Sequence, residues 1–92
     1  MGVEINKIYN EDCFITMSNM DDNFIDIVMT SPPYNIYADE GYVVYDPFMG
    51  TGTTANACVL NGLNYIGSEL SPKQCDYAKT RIEGNKNNLF SL

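Results

Sequence analysis

Ser31, Pro32, Pro33 and Tyr34 close the apolar run Phe24-Ile25-Asp26-Ile27-Val28-Met29-Thr30 and gather a hydroxyl, a rigid carbonyl and an aromatic face at one place. Proline has a fixed φ and no N–H, so two in succession pin the backbone and leave its carbonyl oxygens free to accept. An exocyclic amine can donate to such acceptors, and Tyr34 can stack on the ring that carries the amine. That is the equipment required by a site acting on a base held outside the duplex. Taken alone, a strand followed by two prolines is an ordinary turn. A second motif changes that reading.

The apolar segment Gly41-Tyr42-Val43-Val44-Tyr45 leads into Asp46-Pro47-Phe48-Met49-Gly50-Thr51-Gly52-Thr53-Thr54, followed by the helix-compatible run Ala55-Asn56-Ala57-Cys58-Val59-Leu60. Strand, glycine turn and helix is the order a nucleotide-like ligand needs. Glycines let the backbone approach a ligand, and a helix start offers unpaired N–H groups. The turn lacks the third glycine of the dinucleotide fingerprint and the Gly-Lys of the phosphate loop, so both of those readings lose ground. Leu63-Asn64-Tyr65-Ile66-Gly67-Ser68-Glu69 reads as a further strand ending in an acid. An acid roughly 20 positions beyond a glycine turn is where a ribose diol is commonly held, and Glu69 fits. Cys13, Cys58 and Cys75 have neither a histidine partner nor metal-ligand spacing, and with no histidine in the chain the commonest general base is missing.

Together the two motifs resemble those of DNA amino-methyltransferases, which move a methyl group from S-adenosylmethionine to an exocyclic base nitrogen. With the tetrapeptide ahead of the glycine turn, the chain is similar to the permuted beta-type group; release-factor glutamine methyltransferases carry an Asn-Pro-Pro-Tyr after it. The resemblance implies a catalytic set of Ser31, Pro32, Pro33 and Tyr34. It also implies that Asp12, with Cys13 beside it, meets the adenine amine of S-adenosylmethionine and that Phe48 packs on the cofactor. Asp46 and the turn at Gly50, Gly52 and Thr53 would position its methionine end, and Glu69 would take the ribose hydroxyls. Serine at the first tetrapeptide position resembles the cytosine-N4 enzymes somewhat more than the adenine-N6 enzymes. A remnant that binds the cofactor without transferring methyl is the alternative.

To hold these motifs in place, strands are expected at 5–10, 24–29, 42–46 and 64–68. A short helix is expected at 14–20, with Phe14, Met17 and Met20 on a core side. Ser71-Pro72-Lys73-Gln74 offers an N-cap, a first-turn proline and a capping-box glutamine for a last helix that Gly84 should stop, leaving a frayed polar tail. Strands rich in Val and Ile alternating with helices predict an α/β fold, a parallel sheet with helices on both faces. The resemblance makes this an incomplete portion of a Rossmann-like methyltransferase fold, with spatial order first, fourth, third, second. Its ligand crevice should lie between the second and third strands.

The organisation expected is a catalytic half at 1–34, a junction at 35–41 and an S-adenosylmethionine-binding half at 42–92. Seven residues reach roughly 25 Å, barely the length of a strand, whereas a parallel connection ordinarily takes a dozen or more. A target-recognition region therefore looks to be missing at the junction. Its loss would leave the second strand as an apolar edge prone to dimerise. The formal charge of −7, with five basic residues among 92, argues against a DNA groove built by this segment alone. DNA is thus expected to be met through regions not evident here. Lys73, Lys79 and Arg81 read as a solvated helix face. Three unpaired cysteines and no signal peptide point to a reducing cytoplasm, and no apolar run approaches the roughly 20 residues that span a membrane.

Overall fold

The computed structural model describes residues 2–30 and 39–91, the stretch 86–91 as backbone. The element order is β1 (Lys7–Tyr9), α1 (Cys13–Ser18), β2 (Ile27–Val28), β3 (Val43–Asp46), α2 (Thr53–Leu60), β4 (Asn64–Ser68) and α3 (Pro72–Ser91). Among the described residues all pairings are parallel, in the order β1-β4-β3-β2, as the resemblance implied. Tyr45 stands opposite Ile66, and Asp46 opposite Gly67, so the ends of the two central strands come level.

Alternation along the strands divides the core into two. Val44 and Tyr65 face α2 and α3, where Ala55, Cys58, Cys75, Ala78 and Ile82 complete a buried cluster. Tyr45 and Ile66 face the other way, onto Val3 and the partly buried Met20, Phe24 and Ile25. The two faces are therefore not covered alike. Two helices lie over the first, while the second is closed mainly by the N-terminal segment and the residues leading into β2.

Several local expectations give way to packing. Phe14 is 75 % exposed and Met17 is also exposed; only Met20 of the expected trio packs on the core. The side that α1 buries is Thr16, whose hydroxyl has polar partners inside. Ser71 does cap α3, accepting from the Gln74 N–H at 3.3 Å. The glutamine does not reciprocate, because the Ser71 N–H donates instead to Glu69 Oε2 at 2.9 Å. Gly84 does not stop α3, which continues to Ser91. Space beside it is open and no proline follows, so nothing there forces a left-handed terminus.

β2 is shorter than expected. Asp26 Oδ2 accepts from the Val43 N–H at 2.7 Å, a side chain taking a place beside the ladder. The connection between β2 and β3 thus runs over 29–42, and 31–38 lie outside the described residues, as does most of the expected junction at 35–41. Its last part is turned by Tyr42 N–H donating to Asp39 O, with Gly41 N–H on Gly62 O, both at 3.1 Å.

Candidate active site at the carboxyl ends of the strands

Three loops leave the sheet at the same end. They follow β1, β3 and β4, and they line a small cavity of about 90 Å³ with Glu11, Asp12, Cys13, Pro47, Phe48, Glu69 and Leu70. Carboxyl strand ends are where open parallel sheets take ligands. Of the residues singled out by sequence, Asp12, Cys13, Phe48 and Glu69 come together here, although separated by up to 57 positions (69 − 12) in the chain. Ser31, Pro32, Pro33 and Tyr34 lie outside the described residues. The described part of the cavity stands over β1, β4 and β3, on the side away from β2.

Each loop is held by its own bonds. Asp46 is 4 % exposed; its Oδ1 accepts from the Phe48 N–H at 2.9 Å and its Oδ2 from the Thr54 hydroxyl at 2.7 Å. The acid therefore clamps the start of the glycine turn to the first turn of α2. Gly50 and Gly52 have φ of 57° and 88°. At Gly50 only the dihedral favours glycine, since a Cβ would meet nothing nearer than Gln74 Oε1 at 3.6 Å. At Gly52, the N-cap of α2, a Cβ would stand 2.9 Å from Ala78 Cβ, so the missing side chain lets α3 close on the turn. Thr53 opens α2, and its hydroxyl receives a long 3.5 Å bond from Arg81.

Glu69 ties two of the loops together. Its Oε1 accepts from the Gly50 N–H at 2.8 Å and its Oε2 from the Ser71 N–H at 2.9 Å, so the carboxylate is oriented before any ligand arrives. The β4 end is also bonded to β1: the Glu69 N–H donates to Tyr9 O at 2.9 Å. Asn10 Nδ2 donates to the Glu69 and Leu70 carbonyls, each at 2.9 Å. Asp12 caps α1 through Oδ1, accepting from the Phe14 N–H at 2.9 Å. Phe48 is 67 % exposed, an aromatic face left uncovered beside the cavity.

Sequence reasoning passed over three contributors. Arg81 is no mere solvated charge: its guanidinium donates to Thr51 O at 3.2 Å, fastening α3 to the glycine turn from behind. Glu11 lines the cavity and accepts from the Thr16 hydroxyl at 2.6 Å. Leu70 follows Glu69 and adds an exposed apolar wall. Adjacency to Asp12 and Glu69 was the only signal for the last two. A larger cavity, about 420 Å³, lies against β1 and α3 and is lined by Asn6, Lys7, Ile8, Tyr65, Lys79, Ile82 and Glu83. Among the described residues, none of the glycine-turn motif lines it. The thiol of Cys58, beneath the turn, is pushed up to about 12 by burial, with the Asp46 charge adding. It is no nucleophile at neutral pH.

The family model described as DNA methylase, N6_N4_Mtase, matches residues 36–80, the stretch that holds the glycine turn and Glu69. Over those residues the chain is similar to this DNA methylase family. Similar curated proteins include the orphan methyltransferase M.BamHII of Bacillus amyloliquefaciens, 49 % identical over 47 residues, which are 51 % of this chain and 18 % of that protein. The type II methyltransferase M.HinfI of Haemophilus influenzae is 48 % identical over 46 residues, 50 % of this chain and 13 % of its own. M.Cfr9I of Citrobacter freundii is 36 % identical over 52 residues, 56 % of this chain and 17 % of its own. The matched stretch therefore spans less than a fifth of each of these relatives. Among the described residues no helix is long and apolar enough to cross a membrane.

Proposed function

We propose that the chain carries the cofactor half and the catalytic tetrapeptide of an S-adenosylmethionine-dependent DNA amino-methyltransferase, acting on cytosine N4 or adenine N6. The reading rests foremost on the cavity that joins Asp12, Phe48 and Glu69, with Glu69 already fixed to the glycine turn. The donor set fits the cofactor's adenosine part: carboxylates for amine and hydroxyl donors, and aromatic and aliphatic walls for a ring. At about 90 Å³ the described cavity is well under the roughly 300 Å³ at which complete small-molecule sites begin, so it is part of a site.

In this proposal residues 42–92 hold the cofactor, 1–34 supply the catalytic tetrapeptide, and 35–41 stand where the relatives' additional length would enter. S-Adenosylmethionine supplies an electrophilic methyl on sulfur. Glu69 orients the ribose, Phe48 packs on the adenine, and Asp46, through Phe48 and Thr54, keeps Gly50, Gly52 and Thr53 in place at the methionine end. Ser31 and the Pro32 carbonyl accept from the target amine, drawing its nitrogen toward tetrahedral geometry and freeing the lone pair. Pro33 fixes that backbone and Tyr34 stacks on the extruded base. Attack is then direct, aided by positioning and oriented dipoles, without a covalent base adduct.

Calorimetry with S-adenosylmethionine, followed by transfer of labelled methyl to mixed-sequence duplex DNA, tests both halves. Ser31→Ala should leave cofactor binding intact and lower transfer by about 100-fold or more; undiminished transfer would contradict the mechanism. Binding without transfer by the 92-residue chain is the second reading. It is favoured by one feature, a formal charge of −7 that repels phosphate.

A further inference from the structure

The larger cavity stands apart from the loops at the carboxyl ends of the strands. It opens toward the amino ends of β1 and β4, with Ile8 and Tyr65 from those strands and Ile82 from α3 as apolar walls. At about 420 Å³ it falls within the roughly 300–1,000 Å³ of small-molecule sites. One group in it is out of place for a mere packing gap. Tyr65 is 4 % exposed, yet among the described residues nothing hydrogen-bonds its hydroxyl. Every wholly buried side-chain nitrogen or oxygen among them has a partner, so the unpaired phenol oxygen is the part of Tyr65 that reaches the cavity. Burial, and after it the charge of Glu83, raises this phenol, which therefore stays protonated and offers a proton.

The other polar groups divide into those already engaged and those left over. Asn6, left-handed at φ 62°, turns both ends of its amide onto β4: Nδ2 donates to Asn64 Oδ1 at 3.0 Å, and Oδ1 accepts from the Tyr65 N–H at 3.1 Å. It builds the rim rather than meeting a ligand. Lys7 donates to Glu4 Oε2 at 3.0 Å, whereas Lys79 has no ion-pair partner among the described residues. Two of the chain's five cationic side chains thus stand at this cavity, against one acid in its lining, Glu83. What is left over is donor in character, an ammonium and a phenol O–H beside apolar walls. A ligand that satisfies it presents an anionic acceptor on an apolar body. No arginine and no helix start lines the cavity among the described residues, so the second charge of a phosphate would go unmatched beside Glu83.

We propose that the cavity between β1 and α3 binds a small organic acid, one carboxylate on an aromatic or branched apolar body, with Tyr65 and Lys79 holding the carboxylate and Ile8 and Ile82 the body. The site is separate from the S-adenosylmethionine reading and stands or falls without it.

The experiment titrates the 92-residue chain with 3-phenylpropionate, its neutral amide and phenyl phosphate, read by amide chemical shifts and calorimetry. The acid should bind saturably, shifting Lys7, Ile8, Tyr65, Lys79 and Ile82 while Gly50 and Glu69 stay still. It should bind about 10-fold or more tighter than the amide, as a charge-assisted hydrogen bond implies. Lys79→Gln should remove most of that preference. Glu83→Gln takes away a like charge and should tighten the acid alone. Tyr65→Phe should weaken the acid by about 5-fold or more and leave the urea midpoint unchanged, because the hydroxyl has no described partner within the fold to lose. A lowered midpoint in Tyr65→Phe would give the hydroxyl a structural role and overturn its assignment to a ligand. Equal binding of acid and amide, a preference retained in Lys79→Gln, or tighter binding of phenyl phosphate overturns the carboxylate site. Absence of saturable shifts in these residues with all three probes ends the proposal.

Discussion

Replacing Gly52 with alanine separates the two reasons for a glycine in the turn. Its φ of 88° is left-handed, which costs an L-residue about 1–2 kcal/mol. The added Cβ would stand 2.9 Å from Ala78 Cβ and 3.3 Å from Ala78 Cα, in a fully buried part of α3. Overpacking of this kind costs about 1–3 kcal/mol more. The sum, about 2–5 kcal/mol, should lower Tm by roughly 8–40 °C in a domain of this size. Thermal and urea unfolding followed by far-ultraviolet circular dichroism measure it. Ala78→Gly alone should cost about 1 kcal/mol in helix propensity. Combined with Gly52→Ala it relieves the contact but not the dihedral, so the pair should be less harmful than the sum by about 1–3 kcal/mol. Gly52→Ala within 0.5 kcal/mol of the parent, or a strictly additive pair, would refute the close-approach argument (about 0.5 being the surface-substitution range).

Thr54→Val should cost about 1–3 kcal/mol in urea unfolding, because Asp46 Oδ2 is left buried without its hydroxyl; a neutral result would mean the clamp is not needed. Cys13, half-buried at the cavity, should react with a thiol reagent in the folded chain while Cys58 and Cys75 react only on unfolding. S-Adenosylmethionine should slow Cys13, and equal reactivity of all three thiols would contradict the packing. The stability contributed by the raised Cys58 thiol should be fully present below pH 9.0 and be lost toward about 12, since over that window an unfolded Cys58 releases a proton that the buried thiol keeps. Cys75, Tyr45 and Tyr65, all raised by burial, act in the same direction, and a urea midpoint flat across this range would contradict it. Val28 is 61 % exposed on edge strand β2, so sedimentation should show self-association that Val28→Lys suppresses; a parent chain monomeric at all concentrations would count against it.

Much of the frame was legible because its signals are local and strong. β4 runs from Asn64 to Ser68 as the apolar run suggests, and the sheet order is the one the resemblance implies. Ser71 caps α3 through an oxygen that sequence alone can place. What escaped reading is decided across space. Thr16 and Ser68 are 52 positions apart, and nothing in either neighbourhood marks their hydroxyls as bonded partners. The outward turn of Phe14 follows from Thr16 taking the inward place, a choice that apolar periodicity cannot see. Arg81 reads as solvent-facing until α3 is laid against Thr51. Gly84 carries a stop signal that only an unfavourable helical continuation would have enforced, and its surroundings are open.

Amide chemical-shift mapping with S-adenosylmethionine decides whether the cofactor sits where the loops after β1, β3 and β4 meet, because the second cavity lies elsewhere and serves as an internal control. Cys13, Phe48, Gly50 and Glu69 should shift in a saturable, shared titration while Lys7, Lys79 and Glu83 stay still. Shifts confined to the β1–α3 cavity, or none at saturating ligand, would contradict the proposed site.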